Sequence, residues 1–326
     1  MTRLSLTCLL FFVCAIAVRA TTWNEPWHED VVKRAESFVK VRITEATPGS
    51  CKAELLKSLG GATVPKEFEL SGYSLLTVTS SSGDTDELRL PFRQNEIYYL
   101  LLVKNPKSER YQIPTPSAGW AKLKDGTVTA TYRHSYHQAL VPEDVYEPTM
   151  QAIFNGLHGE PYDREFVTKF VRAQLSGPVA DLAQDETINK KFFLQHVALE
   201  TFYFLKQGAE LSQLLPFLES KTFHAQISAC RAVSAIDSAA ARETLMKFIE
   251  GKGFGFAKVM CVWGLKRLNA KEMTPRLKSF VSDGEDNKTG FGGNIMDPRV
   301  GTYFPGSVKG AIQQLLNEWG QKSPGL

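Results

Sequence analysis

The chain changes its hydrophobic period once. Before Pro142 apolar residues tend to recur at every second position, and after it at every third or fourth. In the first stretch, Phe38-Val-Lys-Val-Arg-Ile43 alternates apolar and charged, as a strand with one wet face does. Phe68–Leu70, Ser74–Val78, Leu88–Leu90, Ile97–Val103 and Thr127–Tyr132 are predicted as further strands. Asp125-Gly126 separates Trp120-Ala-Lys-Leu from Thr127-Val-Thr-Ala-Thr and predicts a hairpin, because a type I′ turn needs two residues at positive φ. Ser80–Glu87 reads as a solvated loop, and Pro114–Gly119, with proline at 114 and 116, as a connector and not a ladder strand. Short strands over this span predict a small β-barrel or sandwich.

After Pro142, Met150, Ile153, Phe154 and Leu157 share one helical face. Tyr162–Leu175 is an amphipathic helix carrying Phe166, Phe170, Val171 and Leu175, and Ser176-Gly-Pro178 stops it. From Phe192 to Asp283 three segments can be laid over one another. Leu205, Ile236 and Leu268 fall in register, as do Leu214, Leu245 and Leu277, and Phe217, Phe248 and Phe280, in steps of 31 and then 32 residues. Each unit predicts two helices: Phe193–Lys206 and Glu210–Glu219, then Phe223–Ile236 and Ala239–Glu250, then Ala257–Leu268 and Lys271–Ser282. So short a helix pair cannot bury its own apolar face and must stack on its neighbours. The pattern resembles HEAT-type repeats in their shorter form, and that resemblance implies a helical solenoid that holds partners. Asp163, Arg164, Lys169 and Arg172 would give the preceding helix the polar outer face of a cap.

The last unit is interrupted by residues 283–306 before a closing helix, Val308–Trp319. Unstructured loops of this length are uncommon in compact domains. Phe291, Ile295, Met296, Val300, Tyr303 and Phe304 give this one apolar content that should pack on something. The expected fold class is α+β, with residues 1–20 a leader, 21–141 a β-rich domain and 142–326 a helical repeat domain. In the β-rich part a Val-rich strand is followed by Leu56-Lys-Ser-Leu-Gly-Gly61, then Ile97-Tyr-Tyr-Leu-Leu-Leu-Val103, then the Gly119–Gly126 region. That order resembles the OB-type barrel of netrin-like secreted domains, and implies an inhibitor or ligand-carrier role. The cysteines that staple such domains are absent here apart from Cys51.

Residues 1–20 have the form of a secretory signal: Arg3, an apolar run from Leu4 to Val18, and Val18-Arg19-Ala20 before a polar Thr-Thr. The run is shorter than the roughly 20 residues a spanning helix needs. A secreted or periplasmic protein without an integral membrane segment is expected. Removing the leader takes Arg3 and Arg19 and no acid, so 38 basic against 35 acidic residues become 36 against 35. That balance gives no argument for a nucleic-acid partner. Of five cysteines, Cys8 and Cys14 leave with the leader, while Cys51, Cys230 and Cys261 remain. The repeat register sets Cys230 opposite Val262 and Cys261 opposite Ala229, and stacked helices lie about 8–10 Å apart. Buried, unbonded thiols are expected.

His134-Ser-Tyr-His137 is the one paired-histidine spacing. On a helix the two would share a face and could hold a metal with Glu143 or Asp144; on a continued strand they point to opposite faces. Gly290-Phe-Gly-Gly293 lacks the Gly-Lys-Ser/Thr ending of a phosphate loop, and Asp283, Glu285, Asp286 and Asn287 lack the EF-hand spacing. Asn287-Lys-Thr289 fits a glycosylation acceptor. Neither Gly-x-Ser-x-Gly nor His-Glu-x-x-His occurs. The expectation is a non-catalytic exported binding or scaffold protein, without cofactor or metal, whose repeats engage a protein partner. Phe291, Arg299, Tyr303 and Phe304 are its expected contact residues, since aromatics and Arg dominate binding hot spots. The alternatives are a metal-dependent hydrolase using His134 and His137, or an inhibitor or ligand carrier acting through the barrel.

Overall fold

Alternation becomes a ladder in the first half of the molecule. The structure is a computed structural model that describes residues 23–47, 50–71, 75–77, 87–89, 91–115, 117–134, 137–183, 185–289, 300–301 and 304–320. Strand β1 (Trp23–Asn24) leads into helix α1 (His28–Arg34), followed by β2 (Ser37–Ala46), β3 (Cys51–Gly61), β4 (Glu67–Ser71), β5 (Leu75–Thr77) and β6 (Glu87–Arg89). Then come β7 (Ile97–Lys104), β8 (Tyr111–Gln112), β9 (Trp120–Lys124), β10 (Thr127–Ala130) and β11 (Ala139–Pro142). Strand β2 pairs with β3 and β7, β3 with β4, β4 with β8, and β8 returns to β7, which closes a five-strand barrel. Strands β9, β10 and β11 extend the sheet from β7. Asp125 at φ 49° and Gly126 at φ 73° make the expected hairpin turn between β9 and β10.

The barrel interior is filled by side chains. Val39, Val41 and Ile43 of β2 meet Tyr98, Leu100 and Leu102 of β7, all without exposed surface. On the other face of the same two strands, Phe38, Tyr99 and Leu101 belong to a second core shared with the helices. Strands β1, β3, β8 and β11 and helix α1 are absent from the sequence reading, and β1, β8 and β11 are only two to four residues long. Strand β3 escapes period-2 reading because its pairing with β2 shifts register three times, at Phe38/Val39, Lys40/Val41 and Ile43/Glu45. Helix α1 lies inside the stretch read as strands, where seven residues are too few for a helical period to show.

The helical half begins at once after β11. Its elements are α2 (Glu143–Leu157), α3 (Arg164–Leu175), α4 (Glu186–Leu205), α5 (Leu211–Leu218), α6 (Phe223–Val233), α7 (Ala239–Glu250), α8 (Gly255–Arg267), α9 (Thr274–Asp283) and, after β12 (Val300–Gly301), α10 (Val308–Gly320). The fold is α+β, a barrel followed by a helical region. Helix α6 packs on α4, α8 on α6 and α10 on α8, while α5 lies against α6 and α7 against α8. Of the positions in register, Leu214, Leu245 and Leu277 have no exposed surface and Phe217 and Phe280 are buried with them, while Leu205, Ile236, Leu268 and Phe248 are half-buried. Among the described residues no helix is long and apolar enough to cross a membrane.

Helix α2 joins the halves. Lys40 and Lys57, on the barrel's outer face, pair with Glu143 and Glu147, and the Tyr99 hydroxyl donates to Glu143 at 2.7 Å and to Glu147 at 3.1 Å. The close approach needs Gly60 and Gly61. A Cβ at 60 would sit 2.6 Å from Asn155 Oδ1, and Gly61, at φ 78°, would put one 2.1 Å from the Glu36 carbonyl oxygen. Gly61→Ala is expected to cost about 2–4 kcal/mol in urea unfolding, from a backbone clash added to the penalty of a left-handed φ. Gly126→Ala, at a similar φ with open space around it, should cost about 1–2 kcal/mol.

Candidate functional site

Five of the six histidines, His28, His134, His137, His196 and His224, gather where the N-terminal arm, the segment after β10 and helices α4 and α6 meet. The gathering starts with the end of β10. Tyr132 turns into the core, its hydroxyl 2.7 Å from Thr149 Oγ1, and the Arg133 carbonyl accepts from the His28 backbone N–H at 2.8 Å. His134 makes an isolated bridge to Trp27, and the His137 N–H donates to the His134 carbonyl at 2.8 Å. The strand expected to continue here ends at Ala130. The two rings therefore do not face apart; both line one pocket.

Glu200 of α4 organises the interior. It has no exposed surface; its Oε2 accepts from Arg231 Nε at 2.9 Å and its Oε1 from the Ser228 hydroxyl at 2.6 Å. Ser228 has one proton, so towards Arg133 Nη1 and His196 Nδ1, each 3.0 Å away, its oxygen accepts. That places the His196 proton on Nδ1 and leaves Nε2 a bare lone pair, buried and without a hydrogen-bond partner. A guanidinium only donates, so His224 Nδ1, 3.0 Å from Arg133 Nη2, is an acceptor. The His137 ring lies between the other two, 4.1 Å from His196 and 4.3 Å from His224 by centroid. Its Nδ1 is buried without a hydrogen-bond partner.

All five imidazoles are neutral at physiological pH. Burial is the main cause, and the charge of Arg133 or Arg231 adds to it. His134 is brought down to about 4, and His28 and His224 to about 3. His137 and His196 lie well below the usual range. Arg133 is 3% exposed, and burial lowers it to about 10, so it stays charged. Among the described residues it makes no ion pair; its hydrogen bonds go to Ser228, to His224 Nδ1 and to the His224 carbonyl at 3.1 Å.

Trp27 divides the space beside this cluster into two pockets. One, about 250 Å³, is lined by Arg133, His134, His137 and His224 together with Phe223, Phe256 and Phe304, with the Phe223 ring 3.8 Å from His224 and the Phe304 ring 5.6 Å from His134 by centroid. The other, about 180 Å³, holds Arg231, whose guanidinium lies 3.9 Å from the Tyr203 ring and 4.9 Å from the Trp27 ring, with Arg267 over the far part of Tyr203 at 4.4 Å.

Phe304, one of the four expected contact residues, is a wall of the larger pocket, 5.0 Å from the Phe256 ring, 5.9 Å from Trp27 and 6.0 Å from Trp263. Phe291, Arg299 and Tyr303 lie outside the described residues. The long insertion is closed at its base by a bridge between Lys288 and Ser307, and its β12 pairs in parallel with β1. The metal reading finds no ligand set: His134 Nε2 faces the Glu25 carbonyl at 3.3 Å, Glu143 is engaged by Lys40 and Tyr99, and no three His, Cys, Asp or Glu side chains among the described residues are placed to hold an ion.

Sequence reasoning passed over Trp27, Arg133, His196, Glu200, Ser228 and Arg231. A signal was present, since Glu200 and Arg231 interrupt the apolar faces of successive first helices at the repeat spacing of 31 residues. The chain matches none of the protein-family models, curated proteins or solved structures with which it was compared.

The neutral histidines make acid stability a direct check. An imidazole whose folded pKa lies below its unfolded value of about 6.5 takes no proton when folded and one when unfolded. Stability is then complete above pH about 6.5 and falls as pH drops towards the folded pKa values of about 4 and 3. Each such group adds up to about 1.4 kcal/mol per pH unit. With all five imidazoles held below their ordinary range, unfolding is expected near pH 5, with about five protons taken up, in a titration followed by circular dichroism. His196→Gln should make the transition less steep by about one proton.

Proposed function

We propose that this protein is a non-catalytic exported binding protein in which stacked HEAT-like helix pairs and the barrel hold a recognition pocket between them. The repeat reading is supported by Leu214, Leu245 and Leu277, buried at equivalent places in successive units. The export reading rests on the leader-like residues 1–20. The observation that carries the binding reading is Arg133: a buried cation without an ion pair among the described residues, at the wall of a pocket whose other polar groups are neutral imidazoles and whose lining includes three phenylalanines. Such a site favours an anionic group on an apolar body, since a carboxylate would supply the counter-charge while the rings cover the body. In a protein partner this is a chain end or an acidic residue beside an aromatic one. The same aromatic surround fits a binding hot spot, and here it includes Phe304 of the long insertion.

The test is calorimetric titration with N-acetylphenylalanine, a minimal chain end, against N-acetylphenylalaninamide. The acid is expected to bind at least about tenfold more tightly than the amide, as hydrogen bonds to a charged group are worth about 1.5–3 kcal/mol, and Arg133→Gln should abolish the difference. Equal binding of acid and amide, or no binding of either, would remove the anion-site reading.

A further inference from the structure

The first helices of the last two repeat units carry a pair of cysteines at their seam. Cys230 lies on α6 and Cys261 on α8, both unbonded thiols without exposed surface, and Cys261 Sγ donates to Cys230 Sγ at 2.9 Å. Ordinary non-bonded contacts between heavy atoms lie at about 3.5–4.0 Å, whereas a disulfide bond is about 2.05 Å long. Both are free, buried thiols in this structure, as expected, but the register argument set them out of each other's reach because it compared equivalent positions. In a stack of repeated units, the residue that faces the next unit differs from the one that faces the previous unit, so partners across a seam need not be equivalent. Cys230 faces forward and Cys261 faces back.

We propose that Cys230 and Cys261 are joined by a disulfide in the exported protein, a covalent staple between α6 and α8. The proposal rests on the export reading above, because disulfides persist in oxidising compartments. The bond forms by exchange. One cysteine thiolate attacks the disulfide of an oxidised dithiol oxidase or of oxidised glutathione and releases one thiol of the oxidant. The second cysteine then displaces the other thiol, so both electrons pass to the oxidant and both cysteine protons to the thiols released. Burial raises the Cys261 thiol well above its usual range, and the thiolate is the nucleophile. Exchange therefore happens while the α6–α8 seam is still open, and a chain that has folded reduced stays reduced. Cys51 does not compete, since it is buried in the barrel core.

The staple also bears on the pockets. Cys230 adjoins Arg231 and Cys261 is two residues from Trp263, and both neighbours line the smaller pocket. Helices α6 and α8 also supply Phe223 and Phe256 to the larger one. One bond thus fixes the spacing of walls that otherwise rest on side-chain packing.

The test expresses the full chain with its own leader, recovers it from the exported fraction and from the cytosol, and alkylates each under denaturing conditions without reduction. Exported protein is expected to carry one alkyl group, on Cys51, with a Cys230–Cys261 peptide about 2 Da lighter than its reduced form. The cytosolic chain, cleaved or not, should alkylate at Cys230 and Cys261 as well. Reduction should lower the melting temperature of the exported protein by roughly 5–10 °C, and a Cys230→Ala/Cys261→Ala variant should melt at the reduced value with or without reductant. Exported, leader-free protein alkylated at all three positions would overturn the disulfide and leave export intact. If the chain is not exported, the export reading fails, and refolding of residues 21–326 in a glutathione redox buffer decides the pair: a cross-link supports it, and its absence overturns it.

Discussion

A single buried carboxylate sets the geometry of the junction. Glu200 faces Arg231 with one oxygen and Ser228 with the other, and Ser228 passes the constraint on to Arg133 and His196. Removing one partner from such a network typically costs about 3–5 kcal/mol, because the remaining charges stay buried without compensation. The network ties helix α4 to α6 and both to the segment that leaves the barrel. It thereby sets the relation of the two halves more tightly than apolar packing, which tolerates sliding, would do.

The same network leaves a charge imbalance that the pocket exposes. Two buried arginines share the Glu200 carboxylate: Arg231 meets it directly, and Arg133 reaches it through the Ser228 hydroxyl. The histidines add no charge, since burial keeps them neutral. Arg231 is further compensated by the faces of Tyr203 and Trp27. Arg133 has imidazole and carbonyl partners and borders open space, so an incoming anion would gain most there. The aromatic residues that line it come from the approach to α1, from α6, from α8 and from the end of the long insertion, which makes the pocket a product of the assembled fold and not of any one element.

Much of the helical region was legible in the spacing of its apolar residues. Leu214, Leu245 and Leu277 could be aligned with nothing but their spacing, and the helices they mark were placed to within a few residues, except that α4 starts two turns earlier than expected. Strand β3 was not legible, since three register shifts scramble its alternation, and α1 is too short to show a period. The junction was hidden for a different reason. Trp27, Arg133, Glu200 and Ser228 are far apart in sequence, and each alone reads as a surface residue or a polar interruption of a helix. His134 and His137 were noticed, but the pocket they share depends on β10 ending at Ala130, which the preceding alternation disguises.

The central claim is that a buried guanidinium without a direct ion pair and a column of neutral imidazoles form a pre-built anion site. Long-range proton–nitrogen correlation of the histidine rings at pH 6 tests it most directly, before and after adding N-acetylphenylalanine. The account predicts a neutral His196 protonated on Nδ1 and a neutral His224 protonated on Nε2, with the largest ligand-induced shifts at His137 and His224. Charged rings titrating near pH 6.5 at His137 and His196, or ligand shifts confined to residues away from the junction, would contradict it.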